Sequence, residues 1–307
     1  MNSFTKHFHA NGKLLLSGEY FVLDGALALA VPTKQGQTLI VEEQESFAHI
    51  SWESVDAEGE TWFKALFTAR DLDLISTSDD ATARRLQQIL EAAQRQNPKF
   101  LPYGAIIRTE LEFPREWGLG TSSTLLYNIA EWAKIDAYEL LFETFGGSGY
   151  DLACAGAESA IFYRLEDKTP HFHAFPFRPA FIENLYFVYL DKKQNSREGI
   201  AHYRAKVKNT PELVQKISDL TEKISQSGSL SDFERLLREH ETIVSDTLEM
   251  KRAKDLYFSD YWGEVKSLGA WGGDFVLVTS EKSQKATAAY FAERGFEICL
   301  PFSTLVK

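Results

Sequence analysis

Pro114-Arg115-Glu116-Trp117-Gly118-Leu119-Gly120-Thr121-Ser122-Ser123-Thr124 runs straight into Leu125-Leu126-Tyr127-Asn128-Ile129-Ala130-Glu131-Trp132. Glycines allow sharp turns and a close approach of backbone to a ligand. The first amides of a helix lack intrahelical partners and carry the positive end of its dipole. A glycine loop with hydroxyls that opens a helix is therefore suited to cradle a phosphate. Serine and threonine are also ordinary helix caps, so the reading depends on what accompanies the run.

Outward from this loop, residues 104–113 alternate as a strand that delivers the chain to Pro114, and the helix continues to about Lys134. A short helix is expected over 136–145. Upstream, 5–9, 13–16, 26–31, 37–43 and 47–53 read as strands joined by turns at Asp24-Gly25 and 34–36. Residues 80–96 have helical spacing and stop at Asn97-Pro98. Downstream, Ala153–Tyr163 is apolar, 184–190 is a buried-strand candidate, and 196–256 is helical with a break at 225–229. A strand over 274–279, a helix over 281–294 and a strand from Phe296 complete the chain. Strands first, helices later and a strand–helix–strand ending indicate an α+β protein of two lobes. Prolines at 170, 176 and 179 suggest a boundary that gives lobes 1–170 and 171–307.

The 307 residues are 44% hydrophobic and 25% charged, a composition typical of a globular protein. A net charge of −11 argues against a nucleic-acid surface, yet leaves room for a locally positive pocket that takes an anionic small molecule. The widely separated Cys154 and Cys299 fit neither a disulfide framework nor a zinc site. His7, His9, His171 and His173 have no spacing of nucleophile or metal chemistry. No leader-like or membrane-spanning apolar run is present, so a cytoplasmic protein with no membrane partner is expected. A homodimer is compatible with the chain.

Further segments could carry chemistry. Lys13 follows Gly12 and precedes an apolar strand that leads to Gly18-Glu19-Tyr20, which places an ammonium at a sheet end. Gly146-Gly147-Ser148-Gly149-Tyr150-Asp151 puts one carboxylate after glycines at a helix-like start, as a helix cap or as a base. Leu268-Gly269-Ala270-Trp271-Gly272-Gly273-Asp274 is a glycine-rich entry to a strand. Asp191-Lys192-Lys193-Gln194-Asn195-Ser196-Arg197 is a basic loop able to meet a phosphate or carboxylate, or simply solvated.

Taken together, the segments from Gly12, Pro114, Gly147 and Gly269 resemble, in order, the motifs of the GHMP family of small-molecule kinases (galactokinase, homoserine kinase, mevalonate kinase, phosphomevalonate kinase). The Gly-Ser-Gly-aromatic-Asp form is closest to phosphomevalonate kinases. The resemblance implies an N-terminal lobe like ribosomal protein S5 domain 2, a ferredoxin-like C-terminal lobe, and ATP- and Mg²⁺-dependent phosphoryl transfer to a small acidic metabolite of the mevalonate pathway. It implies that Gly118, Leu119, Gly120, Thr121, Ser122 and Ser123 surround the ATP phosphates, with Ser122 reaching Mg²⁺. Asp151 and Lys13 become catalytic. Gly18, Glu19, Tyr20, Gly272, Gly273, Lys192, Lys193, Ser196 and Arg197 become the substrate side. A second Mg²⁺ ligand is expected between Ser123 and Asp151, with Glu139 and Glu143 as alternatives.

Several residues depart from the family pattern. Glu116 and Trp117 replace small residues, Thr121 replaces a serine, and Trp271 stands where glycine is usual. These departures keep a second reading open, a nucleotide- or metabolite-binding protein on this scaffold without phosphotransfer.

Overall fold

The computed structural model describes residues 5–192, 196–207 and 211–307. The chain divides into two compact units, one of Met1–Gly12, Gln35–Arg115 and Leu119–Gly156, the other of Lys13–Lys34, Glu116–Gly118 and Ala157–Lys307. This differs from a single cut near residue 170. Two strands, β1 (Thr5–Ser17) and β2 (Ala28–Gln44), each contribute to both units. Both are longer than the sequence suggested, since Gly12 lies inside β1 and the expected turn at 34–36 is continuous strand in β2. Pro32 falls between the stretch of β2 paired in one unit and the stretch paired in the other, and its carbonyl accepts from the Lys307 amide at 3.1 Å.

In the first unit, β3 (His49–Val55), β4 (Thr61–Thr68), β5 (Leu74–Thr77) and β6 (Gly104–Leu111) join β2 in the order β5-β4-β3-β6-β2. The β3–β6 pair is parallel and the rest are antiparallel. The helices are α1 (Asp80–Gln96), α2 (Thr121–Ala133), α3 (Ala137–Thr144) and α4 (Tyr150–Ala155). Alternating strand residues Leu39, Val41, Ile50, Trp52 and Ile107 bury one sheet face against Leu86, Leu90, Leu126, Ile129 and Leu140 of the helices.

The second unit opens with the β2 segment Ala28–Ala30, paired to β7 (Ile161–Glu166), which pairs in turn to β8 (Thr169–Ala174). Asp167 and Lys168, both at positive φ, form the tight turn of this hairpin. The stretch read as a boundary is thus partly strand.

Next come β9 (Leu185–Tyr189), α5 (Ser196–Lys206), α6 (Pro211–Ser225), α7 (Leu230–Leu248) and α8 (Ala253–Tyr257). The unit ends with β10 (Val265–Ser267), β11 (Phe275–Thr279), α9 (Gln284–Ala292), β12 (Cys299–Pro301) and α10 (Phe302–Leu305). The antiparallel order β10-β11-β9-β12 interleaves two strand–helix–strand passages, which is ferredoxin-like topology. β9 and β11 are buried on both faces, which explains their continuous apolar runs. No helix among the described residues is long and apolar enough to cross a membrane, and both cysteines are free thiols.

Candidate active site

Several segments singled out in the sequence meet in the second unit. Lys13 Nζ donates to the Gly118 carbonyl at 2.7 Å, so its ammonium is fastened to the glycine loop. Gly118 has φ 65°, and a Cβ there would lie 2.3 Å from Asp274 Oδ2. Only glycine fits, both in conformation and in space. The Asp274 amide donates to the Lys192 carbonyl at 2.7 Å, while its own carbonyl accepts from the Leu190 amide at 2.8 Å. The Lys13 side chain thereby joins the first glycine motif to the second, the Asp274 carboxylate packs the third against the second, and backbone bonds tie the third to the loop after β9. Glu116 and Trp117 are anchors here. Tyr189 donates its hydroxyl to the Glu116 carbonyl, and Trp117 packs edge-on against Phe275 at 5.4 Å. Burial, with Asp191, Asp274 and Glu116 nearby, pushes the Tyr189 phenol up to about 12, so it remains a donor.

Gly18, Glu19 and Tyr20 follow β1. The Tyr20 hydroxyl accepts from the Trp271 amide at 3.2 Å, and its ring stacks on Tyr203 at 5.5 Å. Trp271 is buried, and Gly272 and Gly273 connect it to Asp274. Glu19 is completely buried and ion-paired with Lys266. His240 and Glu241 are buried beside them, with His240 Nε2 3.3 Å from Glu19 Oε2. Lys266, His240 and Glu241 were not singled out in the sequence. The sequence around Lys266, Glu264-Val265-Lys266-Ser267-Leu268, is mixed in polarity and gave no signal of its burial.

In the first unit, α2 begins at Gly120, which has φ 99° and brings no capping side chain. Asp79 caps α1 and Asp136 caps α3, whereas α4 starts as α2 does, at a left-handed glycine (Gly149) with no side-chain cap. Ser123 turns its hydroxyl back to the Gly120 carbonyl at 2.9 Å. Thr124 Oγ1 donates to Gln37 Oε1 and Asn128 Nδ2 to the Gln37 carbonyl, both at 2.9 Å, which ties the helix to β2. Leu119 is buried, Thr121 half-buried and Ser122 exposed. The result is a helix start fastened to β2 whose first turn carries no carboxylate.

Asp151 lies in the first turn of α4, which begins at left-handed Gly149 and packs on α2. That packing is close, since a Cβ on Gly156 would come within 2.3 Å of the Tyr127 hydroxyl oxygen. Asp151 is half-exposed, and its Oδ1 accepts from the Leu152 amide at 3.1 Å.

The remaining expectations fare unequally. Among the described residues, no group of three His, Cys, Asp or Glu side chains is placed to hold a metal ion. Glu143 is paired with Arg95 at 2.6 Å, which holds its carboxyl below the usual range, whereas Glu139 is exposed in the first turn of α3. Lys192 donates to the Tyr257 hydroxyl at 2.7 Å and lies over that ring. Its ammonium is thus partly engaged. Arg197 is exposed on α5, Lys193 lies outside the described residues, and so does the side chain of Ser196.

No family model and no curated protein matches the sequence. Solved structures do match along the whole chain. Mevalonate kinase of Methanococcus jannaschii superposes with a TM-score of 0.67 at 15% identity, covering 98% of this chain and 100% of that one. Phosphomevalonate kinase of Streptococcus pneumoniae, in complex with phosphomevalonate and AMPPNP, gives 0.71 at 15% identity over 96% and 99%. Galactokinase of Lactococcus lactis complexed with galactose gives 0.64 at 12% identity over 95% and 89%. The chain has the fold of the GHMP small-molecule kinases.

Proposed function

We propose that this protein is an ATP-dependent kinase of a small acidic metabolite, of the mevalonate-pathway type, with phosphomevalonate ahead of mevalonate as acceptor. The observation that carries this reading is the start of α2, fastened to β2 through Thr124 and Asn128 and left without a side-chain cap. Phosphoryl transfer depends mainly on positioning and charge neutralisation, and a preorganised helix start supplies both. In this reading the amides at Gly120–Ser123 hold the terminal phosphates of ATP. Lys13, fixed by the Gly118 carbonyl, supplies positive charge that lowers the pKa of the acceptor's hydroxyl or phosphate. Asp151 accepts or orients the acceptor's proton, and the acceptor oxygen attacks the γ-phosphorus in line as ADP leaves. No phospho-enzyme forms.

The Ser122 hydroxyl suits a hard cation that keeps phosphate and water oxygens. Bound Mg²⁺ would neutralise charge on the transferring group, with Ser122 and Glu139 as its protein oxygens. Glu143 is already engaged by Arg95.

An ADP-release screen against mevalonate, phosphomevalonate, homoserine and sugars tests the reading. Asp151→Asn is expected to lower kcat by about 10²–10⁴-fold, with ATP affinity unchanged. Undiminished turnover in the folded variant removes Asp151 from the mechanism. The buried Trp271 within the third glycine motif favours the second reading, a binding protein without transfer. Tight ATP binding by calorimetry with no ADP release from any acceptor would decide for it.

A further inference from the structure

We propose that His240, Glu241 and Lys266 are positioning residues for the Gly18–Tyr20 turn, which they hold through the Gly18 amide and the Glu19 carboxylate while the two carboxyl groups retain one proton between them.

Four ionisable side chains from three parts of the second unit are wholly buried together: Glu19 after β1, His240 and Glu241 on α7, and Lys266 on β10. Lys266 Nζ pairs with Glu19 Oε1 and donates to the Ser267 carbonyl at 2.9 Å. Glu241 Oε1 is farther from Lys266 Nζ, at 4.0 Å, and Glu241 Oε2 accepts from the Ser267 hydroxyl at 3.3 Å. The Gly18 amide donates to His240 Nε2 at 3.1 Å. That bond requires an unprotonated Nε2, so the imidazole is neutral, in keeping with burial that holds its pKa well below the usual value.

One ammonium then faces two carboxyl groups. A second, uncompensated charge in a dry interior is strongly disfavoured. Glu19 is the closer partner of Lys266, so the proton stays on Glu241. Burial, together with Glu19, pushes that carboxyl up to about 8 against the pull of Lys266. Of the other elements around α7, α5 turns His202 to the Leu248 carbonyl and Lys206 to Glu249, and Arg252 is a further cation that acts on Glu241, at longer range than Lys266. α6 offers the neutral hydroxyls of Ser218 and Thr221, which meet the Leu27 amide and the Ser17 hydroxyl. Arg252, before α8, is paired with Asp255, while Arg238 and Lys254 serve Glu264. Both outlets of the cluster lead to motif residues. Glu19 precedes Tyr20, whose hydroxyl receives the Trp271 amide, and Lys266-Ser267 leads into the loop that contains Trp271.

The sign of the pH effect follows from linkage. Between about 4.5 and 8 the native state keeps a proton that the unfolded chain has released, so this contribution to stability falls across that window and is flat above it. Glu241→Gln lacks the titration. In urea unfolding, its stability relative to the native chain should rise from pH 4.5 to 8 and then level off. Parallel curves for the two proteins across pH 5–9 would overturn the proton assignment.

The unaltered protein supplies a measurement that no folding defect can obscure. Hydrogen exchange, corrected for intrinsic rates, should show segments 14–22 and 264–271 losing protection together as pH rises from 7 to 9. Protection that is constant, or lost in one segment alone, would overturn the coupling. The consequence for turnover rests on the kinase reading. His240→Leu should raise the acceptor KM by about tenfold, the scale of one lost hydrogen bond, with the ATP KM unchanged and with recovery in His240→Gln. Equal KM values in all three proteins would refute the positioning role. Absence of turnover in the native chain would instead refute the kinase reading, and the exchange and unfolding results would still decide the proton assignment.

Discussion

The start of α2 in the first unit and the cluster around Glu19 in the second treat polar groups in opposite ways. At α2 the chain omits a cap that α1 and α3 both have, and places exposed Ser122 at an uncapped amide end. Around Glu19, four ionisable groups are withdrawn from water altogether. An uncapped helix start at the surface costs little because water serves the amides until a ligand arrives. Buried charge is tolerated only when it is balanced within the protein. The difference separates a surface built to receive an anion from an interior device that fixes the loop carrying Tyr20.

The substitution that tests this contrast most severely is Lys266→Met. It keeps an unbranched apolar stem but strands the Glu19 carboxylate, so unfolding free energy should fall by about 3–5 kcal/mol. Burial already raises the Glu19 carboxyl against the pull of Lys266, and without that cation it titrates higher still in the folded state. The loss should therefore be smaller at pH 5 than at pH 8. Chemical denaturation at the two pH values reads this directly. If the Lys266→Met variant were as stable as the native protein, charge balance would not govern the cluster.

Gly118→Ala probes the glycine loop that leads to α2, a backbone position of the second unit where the expected ligand would approach. A left-handed alanine costs about 1–2 kcal/mol. Its methyl would also displace the Asp274 carboxylate, given the 2.3 Å approach. Stability should drop by roughly 1–3 kcal/mol, and ATP should bind more weakly. Asp274→Ala added to Gly118→Ala should recover the steric part of the stability loss but not the conformational part. Strict additivity in that double-mutant cycle would show that the two residues do not meet.

These contrasts mark what could be read in the chain. The double-sided apolar runs at 184–190 and 274–279 announced the central strands of the ferredoxin-like sheet, and the glycine–hydroxyl run announced α2. Strands β4, β5, β8 and the three-residue β10 are not legible in the sequence pattern. β5 and β8 are largely exposed and so carry little apolar signal, and β4 sits among polar turns. The two long strands are interrupted in the sequence reading at Gly12 and at the 34–36 turn because glycine usually marks a turn. Here strand pairing on either side overrides it. Trp117 read as a departure from a kinase motif because its partners, Phe275 and Tyr189, lie far along the chain. The Glu19–Lys266 pair was hidden for the same reason, 247 positions apart.

The smallest expected effect sharpens the ligand side. Glu143 and Glu139 were equivalent in the sequence, and the structure separates them by what they touch. Glu143 accepts from Arg95 Nε at 3.0 Å and from its Nη2 at 2.6 Å, an exposed pair that water screens. Glu143→Gln should therefore change stability by less than about 1 kcal/mol and leave the Mg²⁺ dependence of ADP release where it was. Glu139→Gln should raise the Mg²⁺ concentration needed for half-maximal turnover, since its carboxylate is exposed at the start of α3 with no cation bridged to it among the described residues. Titrating Mg²⁺ against both variants separates the assignments. A shift in Glu143→Gln alone would reverse them and require Arg95 to release its partner when nucleotide binds.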